Sequence, residues 1–252
     1  MRAMQNRVFL LGVPLDPVTT DEALGRLQAL VDSEGSKHVL TPNSEMLVAA
    51  NRNPAFRSVL QRSVFNLPDS VGLLLMARLT GQKLPERVTG IDAVQLLCAS
   101  LTDAHPVFFL GAGEGVAEKT AEVLQKRNSS LKIAGTYGGS PHPEEEASIC
   151  ERICSSGAHI LFVAYGAPQQ DLWIARNLRH LPNIRLAMGV GGTFDFLASV
   201  RKRAPILFQC LGLEWLWRLI LEPRRIGRIF TAVVVFPILV LFYGKTNRET
   251  RS

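Results

Sequence analysis

The strongest constraint on the fold is the order in which two apolar patterns alternate along the chain. Runs of strand length occur at Val8 to Val13, His38 to Leu40, Ser63 to Leu67, Pro106 to Leu110, Leu131 to Thr136, His159 to Ala164 and Ile184 to Met188. Between them lie helix-length amphipathic segments: Thr20 to Asp32, two short helices bracketing Asn51 to Pro54, Val71 to Thr80, Ile91 to Thr102, Glu114 to Arg127, and helices starting near Pro143 and Pro168. Sequential strand–helix units of this kind predict an α/β fold, a mostly parallel sheet flanked by helices on both faces. Ligands of such sheets bind beyond the carboxyl ends of the strands, so the loops that follow strands are the places to look for chemistry. No internal repeat or Pro/Gly-rich linker interrupts the pattern before Pro205.

The 252 residues, 47% apolar and 20% charged, suffice for a sizeable core and exclude a disordered chain. The formal charge of +6 is unevenly spread: residues 201–252 carry ten Lys/Arg against three Asp/Glu, which leaves −1 for everything before them. A basic end suits phosphates, whether in nucleic acid, anionic lipid head groups or a pyrophosphate substrate. Cys98, Cys150, Cys154 and Cys210 form no CxxC pair and no His-Cys cluster, as expected of reduced core residues in a cytosolic protein. The first apolar run, ended by Pro14 and Asp16, is too short for a secretory signal and reads as a first strand.

After Pro205 the pattern changes, and the chain divides into a body, residues 1–205, and an appendage, residues 206–252. A Trp/Leu-rich helix is expected from Leu207 to Leu221, then an apolar stretch from Ile229 to Tyr243 that contains Pro237. That stretch falls short of the roughly 20 residues that span a bilayer. With Arg224, Arg225 and Arg228 before it and Lys245 and Arg248 after it, an in-plane or partly inserted membrane anchor is favoured over a spanning helix. The plainer reading is a helix packed on a partner subunit, which would make the protein a homo-oligomer.

Several strand-end loops carry residues suited to chemistry. Gly111-Ala112-Gly113-Glu114-Gly115 opens a helix, where backbone N–H groups and the helix dipole can meet a phosphate. The next strand ends in Tyr137-Gly138-Gly139 and lacks the acidic residue that would hold a dinucleotide ribose, which disfavours NAD and a nucleotide-dependent oxidoreductase. Asp69, between Pro68 and Ser70, is suited to taking a proton from an attacking hydroxyl, or else caps a helix. Thr41 and Asn43 either line the same edge or serve a turn and cap. Arg87 offers a planar fork of donors to a phosphate, or pairs with a neighbouring Glu. Gln170 either orients an oxygen or belongs to a polar first helical turn. Gly189, Gly191 and Gly192 crowd one strand end, ahead of Asp195, where backbone must approach a ligand or other backbone closely. The chain has no Asp-x-Asp pair to hold a divalent cation, so charge on a leaving pyrophosphate would fall to N–H groups and arginines. The scattered histidines suggest no metal site, and Trp173, Trp215 and Trp217 read as packing or interface residues.

Taken together, Thr41-Pro42-Asn43, Pro68-Asp69-Ser70-Val71-Gly72, Pro85-Glu86-Arg87-Val88-Thr89-Gly90, Gly166-Ala167-Pro168-Gln169-Gln170-Asp171-Leu172-Trp173-Ile174 and Gly189-Val190-Gly191-Gly192-Thr193-Phe194-Asp195 resemble the WecG/TagA/CpsF glycosyltransferase family in order and spacing. So do Arg203-Ala204-Pro205 and Gly212-Leu213-Glu214-Trp215. The resemblance runs from about residue 8 to residue 228. It implies a Rossmann-like body with a C-terminal membrane-associating appendage, on the inner face of the cell membrane. It also implies inverting, metal-independent transfer, without a cofactor, of N-acetylmannosamine or its uronic acid. The donor would be a UDP-sugar and the acceptor undecaprenyl-pyrophosphate-linked N-acetylglucosamine, in the synthesis of teichoic acid or another cell-surface polysaccharide; nucleic acid is not an expected partner. By the resemblance Asp69 is the general base, Thr41, Asn43 and Gln170 line the sugar site, and Arg87 binds donor phosphate or a nearby group. The glycine loops (Gly111, Gly113, Gly191, Gly192) with Tyr137 and Asp195 hold the nucleotide, and Arg218, Arg224, Arg225 and Arg228 face the lipid pyrophosphate. Ser70 and Asp171 depart from the Gly and Glu usual in the family, and the segment after Arg228 is more apolar than expected. A non-catalytic membrane-associated scaffold is the competing reading.

Overall fold

The computed structural model describes residues 7–202, 204–205, 207–208 and 212–246; Cys210, Arg203 and Arg248 lie outside the described residues. Strands β1 (Val8–Leu10) and β2 (Val13–Leu15) pair antiparallel as a separate hairpin. The remaining strands are β3 (Lys37–Leu40), β4 (Phe65–Asn66), β5 (Val107–Gly111), β6 (Ile133–Tyr137), β7 (Ile160–Ala164) and β8 (Leu186–Gly189). They form one wholly parallel sheet in the order β4-β3-β8-β7-β5-β6. The chain winds outward through β3 and β4, jumps to β5 and β6, and returns inward through β7 and β8 to meet β3. The carboxyl ends of β3 and β8 therefore lie side by side at the centre, the place where open α/β sheets leave a crevice.

Helices α1 (Thr20–Asp32), α5 (Gly90–Ser100), α6 (Val116–Arg127) and α9 (Thr193–Leu197) cover one face of the sheet. The other face carries α2 (Ser44–Arg52), α3 (Pro54–Arg62), α4 (Val71–Leu79), α7 (Pro143–Ser156) and α8 (Gln169–Asn177). The strands alternate to serve both layers: on β5 Phe109 packs with Phe162 and Phe194 on the first face, while Phe108 and Leu110 join Leu161 and Val163 on the second. A strand buried on both sides reads as a continuous apolar run, as β5 and β7 do. Local signals set the helix starts. Thr19 and Glu22 close a capping box at α1, and Asn43 and Asn53 cap α2 and α3 through their Oδ1 atoms.

The run Val8 to Val13, expected as one strand, is instead the hairpin. The chain turns at Leu11 and Gly12, both in the left-handed region (φ 50° and 76°), which Gly12 adopts without Cβ strain. Pro14 sits in β2, which pairs on one side only and so tolerates the missing N–H. Asp16, fully buried after β2, accepts from Arg7 (2.7 Å), Arg26 (2.9 Å) and the Asn66 backbone N–H (2.8 Å). A buried carboxylate satisfied this fully locks the hairpin to β4, three residues before Asp69.

The expected helix from Leu207 to Leu221 is also broken. Gly212 has φ 70°, and α10 starts only at Glu214 (Glu214–Leu221). A Cβ at Gly212 would stand 2.9 Å from Val71, so the close approach of the appendage to α4 depends on glycine there. A 3-10 turn, Pro223–Arg225, then leads into α11 (Ile226–Phe230), a π-helical turn (Thr231–Val235) and α12 (Phe236–Tyr243). The continuous helical stretch Pro223–Tyr243 has 21 residues, of which 18 consecutive ones have a mean hydropathy of 2.2, long and apolar enough to cross a membrane by length and composition. The shorter expectation counted only the uninterrupted apolar residues and left out the arginine-bearing turns that precede them. Yet Phe236 and Val240 are fully buried against α2 and α4, and the Leu11 and Gly12 backbone N–H groups donate to the carbonyls of Gly244 and Lys245. One face of this helix belongs to the protein's own core, and the other exposes Phe230, Leu241 and Phe242.

Candidate active site

The carboxyl ends of β3, β4, β5, β7 and β8 surround a cavity of about 510 Å³, and a second of about 410 Å³ adjoins it between α4, α10 and the C-terminal helix. Six residues line both: Asn43, Asp69, Glu214, Arg218, Arg225 and Arg228. Asp69 thus stands where the two spaces meet. Its backbone N–H donates to the Pro42 carbonyl (2.8 Å), and its Oδ2 accepts from the Gly90 N–H (3.1 Å), so three successive loops fix its position. The cap of α4 is Ser70, whose hydroxyl accepts from Leu73 N–H, so Asp69 does not spend its carboxylate as the cap of that helix. Burial pushes the Asp69 carboxyl up to about 7. The Gly90 N–H and the guanidiniums of Arg87 and Arg218 oppose that rise, and Glu214 adds to it. A carboxyl titrating near neutrality in a cleft is suited to proton transfer.

Around the larger cavity, Thr41 is buried with its Oγ1 3.4 Å from the Gly189 carbonyl, and Asn43 lines the wall while its Oδ1 caps α2 through Met46 N–H (3.0 Å). Ala112 and Gly113 line it beside the start of α6, whose N-cap Gly115 supplies no side-chain acceptor. The Val116 N–H donates to the Gly113 carbonyl (3.1 Å), which leaves the Ala117 and Glu118 N–H groups of that first turn to meet an anion. Gly191 and Gly192 line the opposite side. Asp195 also lines the cavity, but its carboxylate is paired with Arg201 (3.1 Å), which in turn reaches Glu222 (3.0 Å).

Gln170 lies in the same lining with a different task from the one expected. It is 2% exposed, and its Oε1 accepts from the backbone N–H groups of Gly166 (3.0 Å) and Gly191 (2.9 Å). It ties the loop after β7 to the loop after β8, so its acceptor oxygen is committed to the protein. Asp171, fully buried behind it, lies under Gly189: a Cβ there would stand 2.2 Å from Asp171 Oδ1. Burial raises the Asp171 carboxyl, with His38 Nε2 3.9 Å away.

Three expected ligand residues fall outside both linings. Gly111 has φ 101° and lets β5 pass close to β7, since a Cβ would stand 2.9 Å from the Ala164 carbonyl carbon. Tyr137, on the edge strand β6, lies under the Arg152 guanidinium at 4.5 Å and packs against the core of the second face. Arg224 is exposed on the 3-10 turn. Arg87 lines only the smaller cavity and pairs with Glu214 of α10. Arg218 packs over the Phe196 ring at 5.1 Å, and Arg228 reaches Glu45 at 2.6 Å. Arg201, Glu45 and Glu222 are site residues that the sequence reading missed. They are ordinary surface charges by their neighbours in sequence, and only the docking of the appendage brings them together. Trp173 is fully buried as expected, with its ring edge-on to Tyr165, whereas Trp215 lines the smaller cavity. Among the described residues no group of three or more His, Cys, Asp or Glu side chains is placed to hold a metal ion.

A parallel sheet whose crevice offers uncapped N–H groups for an anion, one carboxyl poised near neutral pH and arginines from the covering helices has the layout of a group-transfer enzyme. The chain belongs to the WecG/TagA/CpsF family of glycosyl transferases, whose family model matches residues 8–250. It is 32% identical over 202 residues, 80% of this chain and 77% of the relative, to the N-acetylglucosaminyldiphosphoundecaprenol N-acetyl-beta-D-mannosaminyltransferase of Bacillus spizizenii (strain ATCC 23059 / NRRL B-14472 / W23).

Proposed function

We propose that this enzyme moves an N-acetylmannosamine-type sugar, with inversion, from a UDP donor to the N-acetylglucosamine of an undecaprenyl-pyrophosphate-linked acceptor. The named activity of the Bacillus relative supports the acceptor and the transferred sugar, and the position of Asp69 between the two cavities supports the chemistry. The donor occupies the larger cavity, with its pyrophosphate toward the Ala112–Gly115 turn and Arg218. The acceptor enters through the smaller one. Asp69, ionised, takes the proton of the acceptor hydroxyl as that oxygen attacks the anomeric carbon. The bond from that carbon to the phosphate oxygen breaks, and UDP leaves with the electron pair. Fixed N–H groups and the Arg218 guanidinium meet the charge that develops on the leaving group.

The division into a body, residues 1–205, and an appendage, residues 206–252, belongs to the same proposal: the appendage supplies Glu214, Arg218, Arg225 and Arg228 and so completes the site. Its exposed Phe230, Leu241 and Phe242, flanked by arginines and Lys245, suit the inner face of a membrane. The test is incubation of the full chain with UDP-N-acetylmannosamine and a short-chain polyprenyl-pyrophosphate N-acetylglucosamine acceptor, with and without EDTA. Disaccharide-lipid formed by the native protein and lost in Asp69→Asn is the expected result. Equal product from both proteins would remove Asp69 as the base, and no product from either would remove the substrate assignment.

A further inference from the structure

The smaller cavity changes character along its length in a way that pyrophosphate recognition leaves unexplained. On the C-terminal helix its lining residues are Arg225, Arg228, Ile229, Ala232, Val233 and Pro237. Their spacing of three to four positions places them on one face, and at 1.5 Å per residue that face passes from guanidinium to hydrocarbon within roughly 18 Å. Across the groove α4 contributes Leu75 and Met76, and Leu75 remains 56% exposed. Two features open the space. The helix makes its π-helical turn at Thr231–Val235, beside the groove, a distortion frequent at functional sites. Ala232 is the smallest side chain that this helix gives to the lining.

We infer that the apolar part of this groove is a binding subsite for the first isoprenyl units of the acceptor lipid. The enzyme then reads hydrocarbon next to the pyrophosphate, in addition to any attraction of its exposed apolar face to a bilayer. The argument for this occupant is the order of chemistry. A carboxylate meets the acceptor sugar, arginines follow for the pyrophosphate, and an apolar trough opens at Leu75 and Val233 for the chain that must come next. The inference rests on the acceptor reading given above.

The test uses the full chain in buffer free of detergent and vesicles, with UDP-N-acetylmannosamine as donor. The acceptors are N-acetylglucosaminyl pyrophosphates with tails of one, two or three isoprene units, each below its self-association concentration. The expected result is a KM that falls by about tenfold or more from one unit to three, as burial of added hydrocarbon requires. In Ala232→Trp, which fills the groove, and in Leu75→Asn, placed at an exposed position, the ratio of KM values between the shortest and longest tails collapses toward one. If one variant fails to fold, the other decides. A native KM blind to tail length overturns the inference, as does a variant that raises KM equally for all tails. Absence of transfer with every tail would instead overturn the acceptor reading, a result distinct from transfer that ignores the tail.

Discussion

Arg87 and Glu214, 127 positions apart in sequence, form an ion pair that joins the loop before α5 to the first turn of α10 beside Asp69. The pair links body to appendage at the reacting carboxyl, and its two charges act on Asp69 in opposite directions. Glu214→Gln should therefore shift the acid limb of the kcat/KM pH profile downward, and Arg87→Gln should shift it upward. A common shift in one direction, or none, would show that neither charge reaches the base.

The native enzyme should show an acid limb with an apparent pKa near 7, because a base raised to about 7 is protonated and idle below that pH. Asp69→Asn keeps an acceptor for the Gly90 N–H and should cost about 10²–10⁴ in kcat/KM. Initial rates from pH 5 to pH 9 at limiting acceptor check both.

The same raised pKa predicts a gain in stability from removing the charge. The folded protein holds the Asp69 proton up to about 7, while the unfolded chain releases it near the ordinary 3.8, so stability is full below about 4 and falls as pH rises to about 7. Asp69→Asn should melt above the native protein at pH 8, with the difference closing toward pH 4. Thermal melts across that range give the sign directly.

Gln170→Ala should lower stability as well as activity. It strips the acceptor from two half-buried N–H groups, those of Gly166 and Gly191, at a cost of up to about 1–3 kcal/mol where water does not replace it. A residue that only touched substrate would leave the melting temperature unchanged. Gly189→Ala should act alike, because its added methyl would collide with the Asp171 carboxyl under it.

Phe236 and Phe242 should part company. Phe236, fully buried against the body, should cost about 3–5 kcal/mol on replacement by Ala. Phe242, 68% exposed, should tolerate Ser with little change in melting temperature yet weaken sedimentation with anionic vesicles. Loss of stability in both would place the whole helix in the core.

Much of the fold was legible because the signals are local. The alternation of strand-length and helix-length apolar runs predicts the six parallel strands, and α1 falls on Thr20 to Asp32 as read. The hairpin was missed because two left-handed residues within a short apolar run leave no composition signal apart from Gly12. Asp69 could be read from its neighbours either as a base or as a helix cap, and only the family resemblance pointed to the base. The Gln170 tie was invisible, since its partners Gly166 and Gly191 carry no side chain to announce the bond.

The sequence by itself determined which loops lie at the carboxyl edge of the sheet, because periodicity sets strand direction and each βα unit returns the chain to the same side. It also determined the supply of charge: a basic end, and an Asp directly after a strand at Pro68-Asp69-Ser70. Only the tertiary structure decided that Asp69 lies between two cavities, that Glu214 and Arg218 come from the appendage to meet it, and that Tyr137 and Arg224 stay away. It also decided that a helix long enough to cross a membrane spends one face on its own core. These are contacts between residues far apart in the chain, fixed by how helices pack on the sheet, and no local pattern encodes them.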